Sequence, residues 1–118
     1  MKNYLKTNPK QSRNKYGNLK TEYNGYIYMS GKEAKYAMQL DRLRKATDPK
    51  FRVVEFERQI PFQIILNGIK ICKYYADFKV FYADKHVEII DVKGVKTQTY
   101  RLKKRLVEAQ YGIKIIET

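Results

Sequence analysis

Asp77, Asp91 and Lys93 are the residues whose types and spacing point to chemistry. Asp77 lies in Tyr75-Ala76-Asp77-Phe78-Lys79-Val80-Phe81-Tyr82, and the other two lie in Val87-Glu88-Ile89-Ile90-Asp91-Val92-Lys93-Gly94. Both stretches are rich in β-branched and aromatic residues and read as strands, with Ala83-Asp84-Lys85-His86 supplying the turn. Alternation along a strand puts Asp91 and Lys93 on one face with Val87 and Ile89. If the turn closes with Tyr82 paired to His86, Asp77 falls opposite Asp91. A slip of one residue sets Asp77 against Val92, on the wrong face. Like charges facing each other repel and stabilise a sheet poorly. They are well suited to holding a divalent cation against a phosphate.

Phosphodiester hydrolysis needs an activated water and compensation for the charge that grows on the phosphate. One or two Mg²⁺ ions supply both, with Mn²⁺ as a substitute, and hard cations prefer carboxylate oxygens. Asp77 and Asp91 would be direct ligands, with the Val92 carbonyl as a third. Lys93, one pleat repeat along the same face and roughly 7 Å from Asp91 between Cα atoms, would orient the water or stabilise the pentavalent phosphate. A general-base role is less called for, since a cation already lowers the pKa of its water. The competing interpretation is a set of ordinary salt bridges on a solvated face. Against it, Asp91 follows Ile89-Ile90 in a run apolar enough for a central strand, where an unpaired acid is costly to bury.

The elements that must position these residues fit one domain. At 118 residues and 43% hydrophobic composition, the chain can bury one core and not two. Lysine and arginine outnumber aspartate and glutamate by 25 to 12, a net charge of +13, which points first to nucleic acid as partner. No apolar run is long enough to span or anchor in a membrane, and Met1 to Lys6 lacks the apolar segment of a secretory signal. The single Cys72 forms no internal disulfide, which fits a reducing cytoplasm. One cysteine and one histidine exclude the usual structural zinc site.

Residues 1–25 carry six lysines and arginines against Glu22 and show neither helical nor strand period, so a mobile basic arm is expected there. Its tyrosines would stack on bases or dock the arm. Residues 26–118 form the domain. Ser30 and Glu33 make a capping box, and Tyr36, Ala37, Leu40 and Leu43 line one face of the helix that follows, up to Thr47-Asp48-Pro49. Glu33 is therefore a cap or a ligand. Phe51 to Phe62 reads as a strand. Ile64 to Ile71 reads as a hairpin of short strands around Asn67-Gly68, a type I′ signal. Thr97 to Tyr111 reads as a helix with a stripe of Leu102, Leu106 and Ala109, a basic remainder, and Gly112 as C-cap. Ile113 to Ile116 is a last strand, parallel to the Asp91 strand because a helix joins them. The fold class is α/β with a mixed sheet.

Ala76-Asp77, then Asp91-Val92-Lys93, after a helix carrying Glu33, resembles the PD-(D/E)xK nuclease superfamily. More closely, Ser30 to Glu33, Tyr75 to Phe78, Asp91 to Gly94 and Tyr100 to Lys104 resemble a family of small phage and prophage proteins of unknown function assigned to that superfamily. The likeness covers residues 26–118. It implies a restriction-endonuclease-like core of order αβββαβ, with helices flanking the sheet, in a protein like the resolvases of branched DNA. It further implies metal ligation by Asp77 and Asp91, catalysis by Lys93, and completion of the metal shell by Glu33. Ala76 stands where the motif has proline, and Asp91 where glutamate is commoner.

The expectation is thus a Mg²⁺-dependent DNA endonuclease in the cytoplasm of a bacterial host. The second helix would grip the backbone through Gln98, Tyr100, Arg101, Lys103, Lys104 and Arg105, contacts that carry little sequence information. Cutting both strands of a symmetric substrate would favour a homodimer. The alternatives are a non-catalytic nucleic-acid-binding module and an accessory protein whose charge serves a protein partner.

Overall fold

The computed structural model describes residues 11–13 and 19–118 of the chain. The chain divides into two compact units, Met1–Leu43 and Arg44–Thr118.

In the first unit, strands β1 (Gln11–Arg13), β2 (Leu19–Tyr23) and β3 (Tyr26–Tyr28) form an antiparallel sheet in that order. Residues 11–13 and 19–23 are therefore strands, which corrects the expectation of an arm without strand structure. The rest of that expected arm lies outside the described residues. Tyr23 pairs with Tyr26 around Asn24 (φ 52°) and Gly25 (φ 81°), an Asn-Gly turn with both residues left-handed, as a two-residue hairpin requires. The helix α1 (Gly31–Arg42) follows, with the Ser30 side chain accepting from the Glu33 N–H at 3.2 Å. Its buried residues are Ala34, Ala37 and Leu40, while Tyr36 and Leu43 are only half-buried, so the inward face is built of smaller residues than anticipated. The Tyr23 hydroxyl ties β2 to α1 through Asp41 at 2.7 Å.

The second unit is a mixed four-stranded sheet, ordered β4 (Val53–Leu66), β5 (Ile69–Tyr82), β6 (Val87–Asp91) and β7 (Ile115–Glu117), with helix α2 (Gln98–Tyr111) between the last two. From α1 onward the order is helix, three strands, helix, strand, as expected for an α/β fold. The first three strands form an antiparallel meander, and β7 runs parallel to β6. The expected break between Phe62 and Tyr74 is absent: β4 and β5 are 14 residues each and pair through to Leu66 and Ile69, across Asn67 (φ 50°) and Gly68 (φ 78°). Pro61 does not stop β4 because β4 is an edge strand, where a missing N–H faces no partner.

Ile64, Tyr74 and Ala76 from the hairpin, Ile89 from β6, Ile115 from β7, and Tyr100 and Val107 from α2 make the core of this unit. The α2 face that packs inward is thus not the anticipated Leu102, Leu106 and Ala109. Leu102 is 59% exposed and Ala109 is exposed, and only Leu106 packs, partly buried, against that core. Thr97 caps α2 by accepting from Tyr100 N–H, and Gly112 ends it at φ 66°. Among the described residues no helix is long and apolar enough to cross a membrane.

Candidate metal centre

The turn after β5 closes with Tyr82 N–H donating to the His86 carbonyl at 3.0 Å. Val80 consequently faces Glu88, and Phe78 faces Ile90. The same register carried one residue further sets Asp77 across from Asp91, the arrangement on which the chemistry depends. At this point side chains take over from the ladder. Asp91 Oδ1 accepts from the Asp77 N–H at 3.1 Å, and Asp77 Oδ2 accepts from the Val92 N–H at 2.8 Å. Each carboxylate thus fastens onto the other strand's backbone, and the two acids are clasped together between neighbouring strands. Asp77 is 5% exposed and Asp91 fully buried, so they do not belong to a solvated salt-bridged face.

Burial is the dominant influence on both acids. It pushes Asp91 up to about 6, against the charge of Lys93 and the Asp77 N–H. It also raises Asp77, against the Val92 N–H, Lys93 and Gln59. Asp91 Oδ2 is buried with no hydrogen-bond partner among the described residues. The Tyr100 hydroxyl is close enough to influence it, yet its single proton goes to Glu117 Oε2 at 2.7 Å. A buried carboxylate oxygen without a donor is destabilising unless a proton or a cation meets it.

These groups fit a hard divalent cation. The fit rests on the orphaned Asp91 Oδ2 and on Asp77 Oδ1, whose one partner is the Gln59 side-chain amide at 3.3 Å. Among the described residues no set of three or more His, Cys, Asp and Glu is assembled for a metal. A two-carboxylate share is ordinary for Mg²⁺, which keeps several waters and takes substrate phosphate as a further ligand. Val92 enters the site through its N–H. Glu33 lies in the first turn of α1, in the other compact unit, where its backbone N–H is capped by Ser30.

Lys93 does not follow the anticipated pleat spacing, because β6 ends at Asp91. Its ammonium lies 5.0 Å from the centroid of the Tyr100 ring, and its charge lowers both acids from where burial alone would leave them. Of the six residues expected to grip a backbone, Gln98, Arg101 and Arg105 are exposed. Tyr100 is not available for that role: it is 8% exposed, stacked on Tyr74 and hydrogen-bonded to Glu117. Lys103 and Lys104 are half-buried, the first donating to the Lys73 carbonyl at 3.4 Å and the second 3.5 Å from Glu117. Helical spacing explains the split, since positions 100, 103, 104 and 107 share the face that packs on the sheet.

Two residues of the site were not anticipated. Gln59 holds a left-handed φ of 53° in the middle of β4, at the gap between the Arg58–Phe78 and Ile60–Ala76 pairs, opposite Asp77. A non-glycine residue so placed is strained and marks a site where the surrounding structure imposes the conformation. Nothing in its local sequence signals this. Glu117 pairs in register with Asp91 across β6 and β7 and gathers Tyr100, Lys96 and Lys104 around its carboxylate. An acid closing an apolar strand, two residues after Ile115, was its legible signal.

No curated protein and no solved structure matches the chain. Residues 13–116, which include β2 and β3 as well as Asp77, Asp91 and Lys93, match a family model, and the chain belongs to that family: the one described as "Protein of unknown function (DUF1064)".

Proposed function

We propose that the protein is a metal-dependent endonuclease that hydrolyses phosphodiester bonds in DNA, branched and junction DNA included. The observation that carries this reading is the clasped, buried pair Asp77 and Asp91 with one carboxylate oxygen left without a donor. Asp77 and Asp91 would hold Mg²⁺ or Mn²⁺, which when bound supplies an acidic water and offsets charge on the phosphate. The chain's own residues do the rest. Backbone N–H groups of Asp77 and Val92 fix the two carboxylates, so little reorganisation accompanies the reaction. Lys93, set against the Tyr100 ring, is the lysine whose charge acts on both acids and would stabilise the phosphate as its charge grows. Arg101 and Arg105 would hold the backbone beside the cut. On this reading the protein works in the cytoplasm of a bacterial host, is encoded by a phage or prophage, and acts as a two-fold dimer on symmetric substrates.

The test is nicking of plasmid and four-way-junction DNA with Mg²⁺ or Mn²⁺. Asp77→Ala and Lys93→Ala should each lower the rate by about 10²–10³-fold while DNA binding survives. Binding without cleavage under either ion would leave the second reading, a non-catalytic nucleic-acid-binding module, which the net charge of +13 favours.

A further inference from the structure

Beside the acid pair, one strand over, lies a hollow of about 370 Å³ lined by Lys96, Arg101, Lys104, Arg105 and Glu117. Its volume is at the lower end of ligand-sized pockets, roughly 300–1,000 Å³. Four cations and one acid line it. Lys96 comes from the loop before α2, Arg101, Lys104 and Arg105 from one flank of α2, and Glu117 from β7. Glu117 is the internal counter-ion: its carboxylate accepts from Tyr100 at 2.7 Å and lies 3.4 Å from Lys96 and 3.5 Å from Lys104. Among the described residues, the guanidinium groups of Arg101 and Arg105 meet no acid, although they are one helical turn apart and both line the hollow. Like charges gathered in a concavity repel one another and raise the local concentration of anions. Paired guanidinium forks match the oxygens of a phosphate in a way that lysine ammonium groups do not.

We infer that this hollow is a subsite for one phosphate of a nucleic-acid backbone, and that Glu117 sits in it as a resident anion which the phosphate displaces from Lys96 and Lys104. The assignment to a backbone phosphate rests on the nuclease reading above. The anion chemistry of the pocket does not. Because Glu117 is in register with Asp91, a phosphate held here would lie on the strand neighbouring the one that carries Asp91, placing the next phosphate of the same backbone toward the acids. Glu117 also has a selective role, since an incoming group must carry enough negative charge to replace it.

The test uses the full chain without divalent ions, so that cleavage plays no part. Binding of a fluorescent duplex oligonucleotide is followed by anisotropy across salt concentrations, with inorganic phosphate as competitor. Arg101→Gln/Arg105→Gln should weaken binding by about tenfold at low salt and reduce the salt slope by about one, the share of the single phosphate that the two guanidinium groups would hold. Glu117→Gln keeps the side-chain shape, removes the resident charge, and should tighten binding several-fold. Lys70→Gln on the exposed hairpin tip is the control for bulk charge and should change neither quantity by more than a small amount. If Glu117→Gln binds no tighter, or if the double variant behaves like twice the control, the subsite is overturned. Vesicles of phosphatidylglycerol form the second arm. Variant-dependent binding to vesicles but not to DNA would overturn the backbone assignment. Should the subsite pass while Asp77→Ala leaves nicking unchanged, the pocket stands and the nuclease reading falls.

Discussion

Among single residues, the acid pair is held in surroundings unfavourable to its own ionisation. Asp91 has a folded-state value of about 6, against roughly 3.9 in an unfolded chain. The folded protein therefore binds this proton more tightly than the unfolded one. The contribution to stability is intact below about pH 4, falls as pH climbs toward 6, and stays lost above that. A difference of that size corresponds to something on the order of 3 kcal/mol. Asp91→Asn should thus be more stable than the native chain at pH 7.5 by up to about that amount, and equal to it near pH 4. Urea denaturation across this range measures the gap, and Mg²⁺ should narrow it if the cation occupies the site. Gln59 offers a second check of the same kind. Because its φ of 53° suits glycine, Gln59→Gly should be more stable than Gln59→Ala by about 1 kcal/mol. On the nuclease reading, both should lower Mg²⁺-dependent nicking, since Asp77 Oδ1 then has no amide donor. Equal stability of the two variants would show that the backbone at this position is unstrained.

Among helices and strands, the local signals that succeed are those with a mechanism confined to a few neighbouring residues. Ser30 caps α1, Asn67-Gly68 turns the long hairpin, Gly112 ends α2, and the Tyr82–His86 closure sets the register of Asp77 on Asp91. Asn24-Gly25 carries the same turn signal as Asn67-Gly68, yet the charge of the surrounding segment outweighs it and hides a hairpin. The inward face of α2 is obscured for a related reason. Its buried positions are a tyrosine and a valine flanked by two lysines whose stems lie along the sheet, so hydrophobicity alone picks the wrong stripe. This gives a direct contrast. Val107→Ala should lower stability by about 2 kcal/mol, and Leu102→Ala should stay within about 0.5 kcal/mol of the native chain. Thermal unfolding of the two variants side by side decides which face packs.

For the molecule as a whole, the charge of +13 governs how it meets a partner. On the nucleic-acid reading, association should be strongly salt-dependent. Between about 50 and 200 mM salt, affinity should drop on the order of a thousandfold if six or so phosphates are bound. A weak dependence, measured by anisotropy, would remove nucleic acid as the partner and leave the charge to serve a protein. The sheet order β4-β5-β6-β7 places Asp77, Asp91 and Glu117 on three successive strands.

The element order from α1 to β7, the two alternative registers of Asp77 against Asp91 or Val92, and the parallel return of β7 are legible in the chain of residues, and the Tyr82–His86 closure in the structure selects Asp91. They follow from turn chemistry, capping and side-chain alternation, which act between near neighbours. Packing in three dimensions settled the rest: that both acids are buried, that Asp91 keeps an oxygen without a donor, and that Tyr100 belongs to the core. Packing also strains Gln59 against Asp77 and lets Glu117 gather cations beside Asp91. These interactions join residues distant along the chain, such as Gln59 with Asp77 and Tyr100 with Glu117, and their energies depend on what excludes water around them.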